Sequence, residues 1–122
     1  MQQSNFSEAK FLDRLASIRS SFSAELPDRL EKIGLLLDEL SCAAKSDATT
    51  QTLKILYEQT HNLAGTGGTL GFERLSHLSA DLENICRNVL NENGKPSDVD
   101  LGKLLSKFIL LRDELKDLQK TG

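Results

Sequence analysis

Apolar residues recur at intervals of three and four residues along almost the whole chain, and this spacing constrains the fold more than any other feature. Such spacing lays one apolar stripe along an α-helix. The stripe is mainly leucine, which occurs 23 times, whereas the chain has only 2 prolines and 5% aromatic residues. Because leucine favours helix and sheets are built mainly from β-branched and aromatic residues, the sequence predicts an all-α protein.

Two helical segments are predicted in the first part of the chain. A capping box formed by Asn5 and Glu8 begins the first segment, and Leu26-Pro27 ends it. Pro27 suits the first turn of the second segment, which ends before a polar connection at 45–49. The apolar stripes of these segments are Phe11, Leu15, Ile18 and Phe22, followed by Leu30, Ile33, Leu37, Leu40 and Ala44.

Three further segments are predicted in the remainder of the chain. The third runs from about 50 to 70 and the fourth from about 73 to 91. A turn at 93–96 precedes the fifth, which a capping box of Ser97 and Asp100 begins. Their apolar stripes are Leu53, Leu56, Thr60, Leu63, Gly67 and Leu70; Leu75, Leu78, Leu82, Ile85 and Val89; and Leu101, Leu104, Phe108, Leu111, Leu115 and Leu118.

Four long amphipathic helices with short connections predict an antiparallel up-down four-helix bundle. The additional N-terminal helix is expected to pack across one end of that bundle. A chain of 122 residues is enough for one domain with its own core. We therefore expect a single domain over 1–122, with a short flexible N-terminus of about residues 1–5.

Charge and composition exclude several classes of function. A net charge of −3 and a pI near 5.4 argue against nucleic-acid binding. No apolar run approaches the roughly 18 residues that cross a membrane, and the first residues do not resemble a signal peptide. In such a chain Cys42 and Cys86 are expected to be buried thiols rather than a disulfide. We therefore expect a cytoplasmic protein without membrane or nucleic-acid partners.

Glycines are concentrated inside the third segment, where four of the 8 fall between 65 and 71. Leu56, Leu63 and Leu70 are spaced seven residues apart, so the apolar stripe continues through the glycines and the segment is expected to stay helical. Each glycine inside a helix costs about 1 kcal/mol relative to alanine. Something other than helix stability must therefore favour small residues here.

The same register places His61 on the outer face of the helix. Gly65 and Gly68 follow on that face at one and two turns, whereas Gly67 faces the core and allows close helix approach. An exposed imidazole beside bare helix turns predicts a docking surface with a nucleophile at its centre. The glycines match no dinucleotide or phosphate loop, and neither His61 nor His77 has a second metal ligand at helical spacing.

The runs His-Asn-Leu-Ala-Gly at 61–65 and Leu-Gly-Phe at 70–72, followed by an amphipathic helix, carry a family resemblance. The chain resembles the histidine-containing phosphotransfer (HPt) domains of multistep two-component phosphorelays. Their motif is His-x-Leu-Lys-Gly, then small residues and an apolar-Gly pair. One position departs from it, because Ala64 stands where the family usually has a lysine that assists the phosphoryl group.

The resemblance implies a phosphohistidine carrier rather than an enzyme. His61 would accept a phosphoryl group from the phospho-aspartate of a receiver domain and pass it to another receiver. The partners would be receivers and, through them, a sensor histidine kinase. No cofactor is expected on this chain, because the receiver would supply Mg²⁺. We expect the carrier to be a monomer.

The resemblance also suggests supporting residues. A carboxylate at Glu83 would orient the His61 ring, although a solvated side chain on the helix face is an equal alternative. Arg87 and Lys54 are candidates to replace the charge missing at Ala64, although both also fit an ordinary solvated surface. Tyr57 fits either the bundle edge or the docking surface. The residues predicted for the receiver docking surface are Tyr57, Ala64, Gly65 and Gly68.

Other functions remain open at this point. A helical adaptor that binds a receiver or kinase without being phosphorylated is the main alternative, and Ala64 leaves room for it. An enzyme with its own pocket has no supporting group of residues. Exposed Ile109 or Leu110 on the last helix would mark a partner contact, unless a broad core stripe covers them.

Overall fold

The computed structural model describes residues 2–42 and 46–121, with side chains over 7–42 and 46–120. These residues form four α-helices and no strand: α1 Gln2–Cys42, α2 Asp47–Thr69, α3 Glu73–Glu92 and α4 Asp98–Thr121. The all-α prediction is confirmed. None of the four helices, over the part described, is both long and apolar enough to cross a membrane.

The four helices enclose one apolar core. α2 contacts α1 and α3, α4 contacts the same two helices, and the α2–α3 pair is the most extensive. The antiparallel up-down order predicted for the bundle stays a prediction. The largest fully buried apolar side chains come from all four helices and follow the predicted stripes: Leu26, Ile33, Leu37, Leu53, Leu56, Leu63, Leu75, Leu82, Leu104 and Leu111.

The predicted helix boundary at Leu26-Pro27 is wrong, because α1 is one helix of 41 residues with Pro27 inside it. An internal proline costs about 3 kcal/mol, since it removes a backbone hydrogen bond and crowds the preceding turn. Burial of one large apolar side chain returns roughly 1.5–3 kcal/mol. Phe22, Leu26 and Leu30 form one buried stripe across the proline, so packing outweighs the local break.

The additional N-terminal helix is therefore not a separate element in the described part of the chain. Its predicted apolar stripe is also only partly buried: Phe22 belongs to the core and Leu15 packs against it, but Phe11 is 64% exposed and Ile18 is 55% exposed. The first half of α1 thus presents apolar side chains to the surface. Ala44 and the side chain of Asn5, which the predictions also included, lie outside the described residues.

Hydrogen bonds at the helix ends confirm one predicted capping box and add a second. At the start of α4, the Ser97 backbone N–H donates to Asp100 Oδ2 at 2.9 Å and the Asp100 N–H donates to Ser97 Oγ at 3.1 Å. At the start of α2, the Ser46 N–H donates to Thr49 Oγ1 at 3.2 Å. α2 therefore begins within the segment that was predicted as a connection.

Gly71 ends α2 where the sequence predicts, and the geometry explains why a glycine is needed. Its φ is +88°, a left-handed conformation that side chains disfavour. The Gly71 N–H donates to the Gly68 carbonyl at 3.2 Å and the Phe72 N–H donates to the Gly67 carbonyl at 2.8 Å. This pair of bonds is a Schellman motif, and it fixes the direction in which α3 leaves.

The two cysteines are free thiols, as predicted, but only one is buried. Burial raises the pKa of Cys86 to about 12, so its thiolate is scarce at neutral pH. Cys42 is exposed at the end of α1, which corrects the expectation that both thiols are buried.

Replacing Pro27 by alanine tests the continuity of α1. We expect Pro27→Ala to raise the free energy of unfolding by up to about 3 kcal/mol, because alanine restores the missing hydrogen bond of a helix that is already formed. Urea unfolding followed by circular dichroism measures the change. Pro96→Ala, in the turn between α3 and α4, is the control and should bring no gain. A loss of stability in Pro27→Ala would contradict a continuous α1.

Candidate functional site

The site is centred on His61, which α2 holds on its outer face. Its side chain is 62% exposed, whereas Thr60 and Leu63 on either side of it are buried. α2 continues as a helix through Gly65, Gly67 and Gly68 to Thr69, as the register predicts. The ring is therefore attached to a regular helix and remains open to an approaching molecule.

Glu83 on α3 lies beside the His61 ring. Its Oε2 is 2.8 Å from His61 Nδ1, and its side chain is only 10% exposed. An ionised carboxylate can only accept a hydrogen bond, so the proton of the neutral ring is held on Nδ1. This arrangement leaves the Nε2 lone pair without a proton, which is the form of imidazole that acts as a nucleophile.

Arg87, one turn after Glu83, pairs with the same carboxylate oxygen. Its Nη2 is 2.8 Å from Glu83 Oε2, and its Nη1 donates to Asn84 Oδ1 at 2.9 Å. A carboxylate that is almost buried needs such a partner, because an unpaired buried charge is costly. The guanidinium thus balances the negative charge of Glu83, and it does so at the same oxygen that contacts His61.

Tyr57 completes the group by contacting both His61 and Arg87. Its ring centroid lies 6.1 Å from that of His61, with the ring planes 14° apart, and Arg87 lies 5.8 Å above it. The Tyr57 side chain, and after it the charge on Glu83, raises the pKa of Arg87 above its ordinary value. We call Tyr57, His61, Glu83 and Arg87 the His61 cluster. Tyr57 is half-buried against the core and also stacks beside the histidine, so both placements considered for it apply.

Two of the residues suggested for the site lie outside this cluster. Lys54 is exposed on α2, and no hydrogen bond, ion pair or ring contact among the described side chains joins it to His61. Ala64 is only 8% exposed, which corrects its assignment to the docking surface. It is buried because it follows Thr60 by one turn on the inner side of α2, and its carbonyl accepts a bond from Ser76 Oγ at 2.7 Å.

The three glycines face the directions that the register predicts, and the structure adds one close contact at Gly68. A β-carbon on Gly65 would meet no atom within 4 Å, so this position clears space beside His61 as expected. On Gly68 it would lie 3.0 Å from Ser76 Oγ, a tight contact with α3. On Gly67 the nearest atom, Leu75 Cδ2, would be at an ordinary 3.4 Å. Gly67 is buried against α3, as predicted. Gly68 lies on the exposed face, as predicted, but a side chain there would have to displace the Ser76 hydroxyl by a few tenths of an ångström.

The long α1 contributes a wall that sequence analysis missed. A shallow depression beside His61 is bounded on one side by two apolar residues of α1 and on the other by small and polar residues of α2. Leu15 and Ile18 belong to the apolar stripe predicted for the first segment, but that segment was expected to pack across one end of the bundle rather than beside His61. The depression is lined by Leu15, Ile18, His61, Asn62, Gly65, Thr66, Thr69 and Leu70.

The arrangement has the features of a nucleophile with a fixed ring and an open approach. The His61 cluster supplies one acceptor for Nδ1 and one cation, and the side chains described include no group of three or more His, Cys, Asp or Glu residues placed to hold a metal ion. Asn84 and Ser76 support this geometry through Arg87 and Ala64. Their contacts have no recognisable signature in the sequence.

The comparison with protein families gives one match. A family model described as the Hpt domain matches residues 17–121, which is most of the chain. No curated protein and no solved structure matches the chain significantly. The match begins within α1 and includes every residue of the His61 cluster.

Removing the Glu83 carboxylate tests its hold on the ring. In the wild type the neutral His61 ring should carry its proton mainly on Nδ1. Glu83→Ala should lower the ratio of the Nδ1-protonated to the Nε2-protonated tautomer by about tenfold, because a hydrogen bond to a charged group contributes about 1.5–3 kcal/mol. Imidazole ¹⁵N chemical shifts report the two tautomers. Glu58→Ala, an exposed carboxylate on α2, should change nothing. A wild-type ring protonated mainly on Nε2 would refute the assignment.

Proposed function

The chain belongs to the Hpt domain family, which implies phosphotransfer in two-component signalling, and on that premise we propose that it is a phosphorelay intermediate. His61 accepts a phosphoryl group from the phospho-aspartate of one receiver domain and passes it to the aspartate of another. The observation that carries this proposal is the exposed His61 ring, whose Nδ1 lies 2.8 Å from Glu83 Oε2, so that Nε2 is left as the nucleophilic nitrogen.

In the first transfer, the Nε2 lone pair attacks the phosphorus of the aspartyl phosphate. The N–P bond forms as the P–O bond breaks, and the receiver's aspartate leaves as a carboxylate. The proton stays on Nδ1, so the product is a phosphorylated imidazolium ring. The second transfer runs these steps in reverse toward another aspartate, and the chain returns to its starting form.

Glu83 acts on the ring in two ways in this mechanism. Before transfer it keeps Nδ1 protonated, so that Nε2 is the attacking nitrogen. After attack the ring is cationic, and the carboxylate at 2.8 Å stabilises that charge. Glu83 is almost buried and so is shielded from water, whereas the His61 side chain is 62% exposed and water screens that end of the contact.

Arg87 compensates for the alanine at position 64. An incoming phosphoryl group is an anion, and an unpaired Glu83 carboxylate beside His61 would repel it. Pairing with Arg87 at 2.8 Å makes the two side chains neutral together. Arg87 is 47% exposed, so its guanidinium is also accessible to an incoming anion. Lys54 has no contact with Glu83 among the described side chains, and its role as a source of positive charge stays a prediction.

The chain needs few catalytic groups beyond the His61 cluster, because the receiver supplies the others. We propose that Mg²⁺ is held by the receiver, where it neutralises charge on the phosphoryl group during transfer. The contribution of this chain is then to position and orient one nitrogen. It is a carrier that is regenerated by each pair of transfers, not an enzyme with a substrate pocket.

The receiver is proposed to dock over the depression beside His61. Gly65 leaves open space next to the ring, and Leu15 and Ile18 of α1 provide an apolar wall. Burying that wall against a partner is favourable, whereas a flat polar surface would gain little. Tyr57 does not line this depression, and its ring stacks on the His61 ring with the centroids 6.1 Å apart.

The up-down antiparallel order of the helices is proposed on the lengths of the connections. Residues 43–46, 70–72 and 93–97 join successive helices. Connections this short place neighbouring helices antiparallel. In that order His61 and Glu83 meet on adjacent helices, as their hydrogen bond requires.

Substituting the histidine tests the proposed carrier role. A phosphorylated receiver with Mg²⁺ should transfer acid-labile label to the wild type, and His61→Gln should reduce that label to background because glutamine has no nucleophilic nitrogen. His77→Gln removes the other histidine, which is exposed on α3, and should be labelled like the wild type. Acid-labile label on His61→Gln would exclude the assignment. Receiver binding without any label on the wild type would instead identify an adaptor.

Filling the space at Gly65 tests the docking surface. We expect Gly65→Leu to slow transfer by about 100-fold or more, because a large side chain in the contact keeps the reacting atoms apart. Its helix content should be unchanged, since the position is open. Gly102→Leu is the matched control, an equally open helical glycine on α4, and should transfer normally. Stopped-flow or gel-based transfer rates distinguish the two, and an unchanged rate for Gly65→Leu would contradict docking at this surface.

A further inference from the structure

A second apolar surface lies between α1 and α4, where residues 27–38 and 105–119 form the two sides of an open groove, here called the α1–α4 groove. Its floor includes Gly34 and Phe108. A β-carbon on Gly34 would lie 3.1 Å from the Phe108 ring, so the glycine lets the ring pack directly against the α1 backbone. The floor of the groove is therefore formed by an aromatic ring in direct contact with the α1 backbone.

Large apolar side chains stand on both sides of this groove and remain exposed. Leu35 of α1 is 58% exposed, and on α4 Ile109 is 54% and Leu105 is 40% exposed. They are neighbours across one concave surface, not isolated residues. Contiguous exposed apolar surface of this kind marks an interaction site, because covering it removes it from water.

The charged residues that line the groove are separated by sign. Glu31 and Asp38 lie on the α1 side, whereas Arg112 and Lys116 lie on the α4 side. None of the ion pairs formed by the described side chains joins these two rims. The groove therefore has one acidic and one basic border, both available to a partner.

We propose that this groove is a homodimer interface, in which a second copy of the chain packs its own α1–α4 groove against it. A two-fold axis parallel to the helices sets α1 of each copy over α4 of the other. The acidic border of one copy then faces the basic border of its partner on both sides, and Leu35, Leu105 and Ile109 meet at the centre. A two-fold axis across the helices would oppose like charges, so the charge pattern selects one arrangement.

The His61 cluster takes no part in this interface. None of its four residues lines the α1–α4 groove, and the depression beside His61 is formed by α2 and the first half of α1. Two copies joined through the groove keep both histidines accessible. The inference is independent of the proposed phosphotransfer, and it is an alternative to the monomer expected from the sequence.

The first test is the oligomeric state of the purified chain. Sedimentation equilibrium should show a reversible dimer, and Ile109→Glu should raise the dissociation constant by about 100-fold or more because the substitution enters the interface twice. Val99→Glu, at an exposed apolar position of α4 outside the groove, should dimerise like the wild type. Circular dichroism checks that both variants fold.

The second test uses the separated charges and does not depend on an apolar substitution. One double variant makes both borders basic (Glu31→Lys/Asp38→Lys), and the other makes both borders acidic (Arg112→Glu/Lys116→Glu). Each variant alone should be monomeric, because like charges then face each other across the interface. An equimolar mixture should form a one-to-one heterodimer, because each border again faces its opposite. A wild type that stays monomeric up to ~1 mM, the range of the weakest specific contacts, would overturn the proposal. The proposal would also be overturned if the mixture of the two charge variants did not associate, or if Val99→Glu did not dimerise.

Discussion

The close packing of α2 against α3 is the constraint on which the site depends. The Ser76 hydroxyl of α3 reaches the Ala64 carbonyl of α2 at 2.7 Å, and Gly68 leaves the space that this approach requires. The Schellman motif at Gly71 sets the direction of α3. At this separation the Glu83 carboxylate comes within 2.8 Å of His61, which a wider helix spacing would not allow. The glycines lower the helix propensity of α2, and the close packing of α2 against α3 that they permit offsets this loss.

Burial of Glu83 then determines the rest of the cluster. A carboxylate that is 10% exposed must be paired, and it is paired with an arginine on its own helix and a histidine on the neighbouring one. Tyr57 contacts both of these partners, so no member of the cluster is held by a single contact. The proposed chemistry needs one oriented nitrogen, and this network provides the orientation without a dedicated pocket.

Sequence reasoning succeeded where one dominant pattern controls the structure. The seven-residue spacing of Leu56, Leu63 and Leu70 predicted a helix through the glycines, because the buried stripe outweighs glycine's poor helix propensity. The same register placed His61 on the outer face. The Ser97–Asp100 capping box was also predictable, because its hydrogen bonds lie within four residues.

It failed where a tertiary contact overrides a local rule. Pro27 is a strong helix breaker in isolation, but the packing of Leu26 and Leu30 on the other helices is not visible in the local sequence. The close contact of Gly68 with α3 could not be predicted, since it depends on one Ser76 hydroxyl from another helix. Glu83 falls outside the leucine stripe of α3, and only the approach of α2 shows that it is buried.

The unbroken α1 gives the molecule a single rod of about 60 Å, far longer than the other three helices. Its first half carries Leu15 and Ile18 beside His61, and its second half carries Gly34 and Leu35 in the α1–α4 groove. Pro27 stands between them, at the one place where the helix lacks a backbone bond. The two proposed contact surfaces therefore lie on one continuous helix, on either side of the residue type at which helices most often bend.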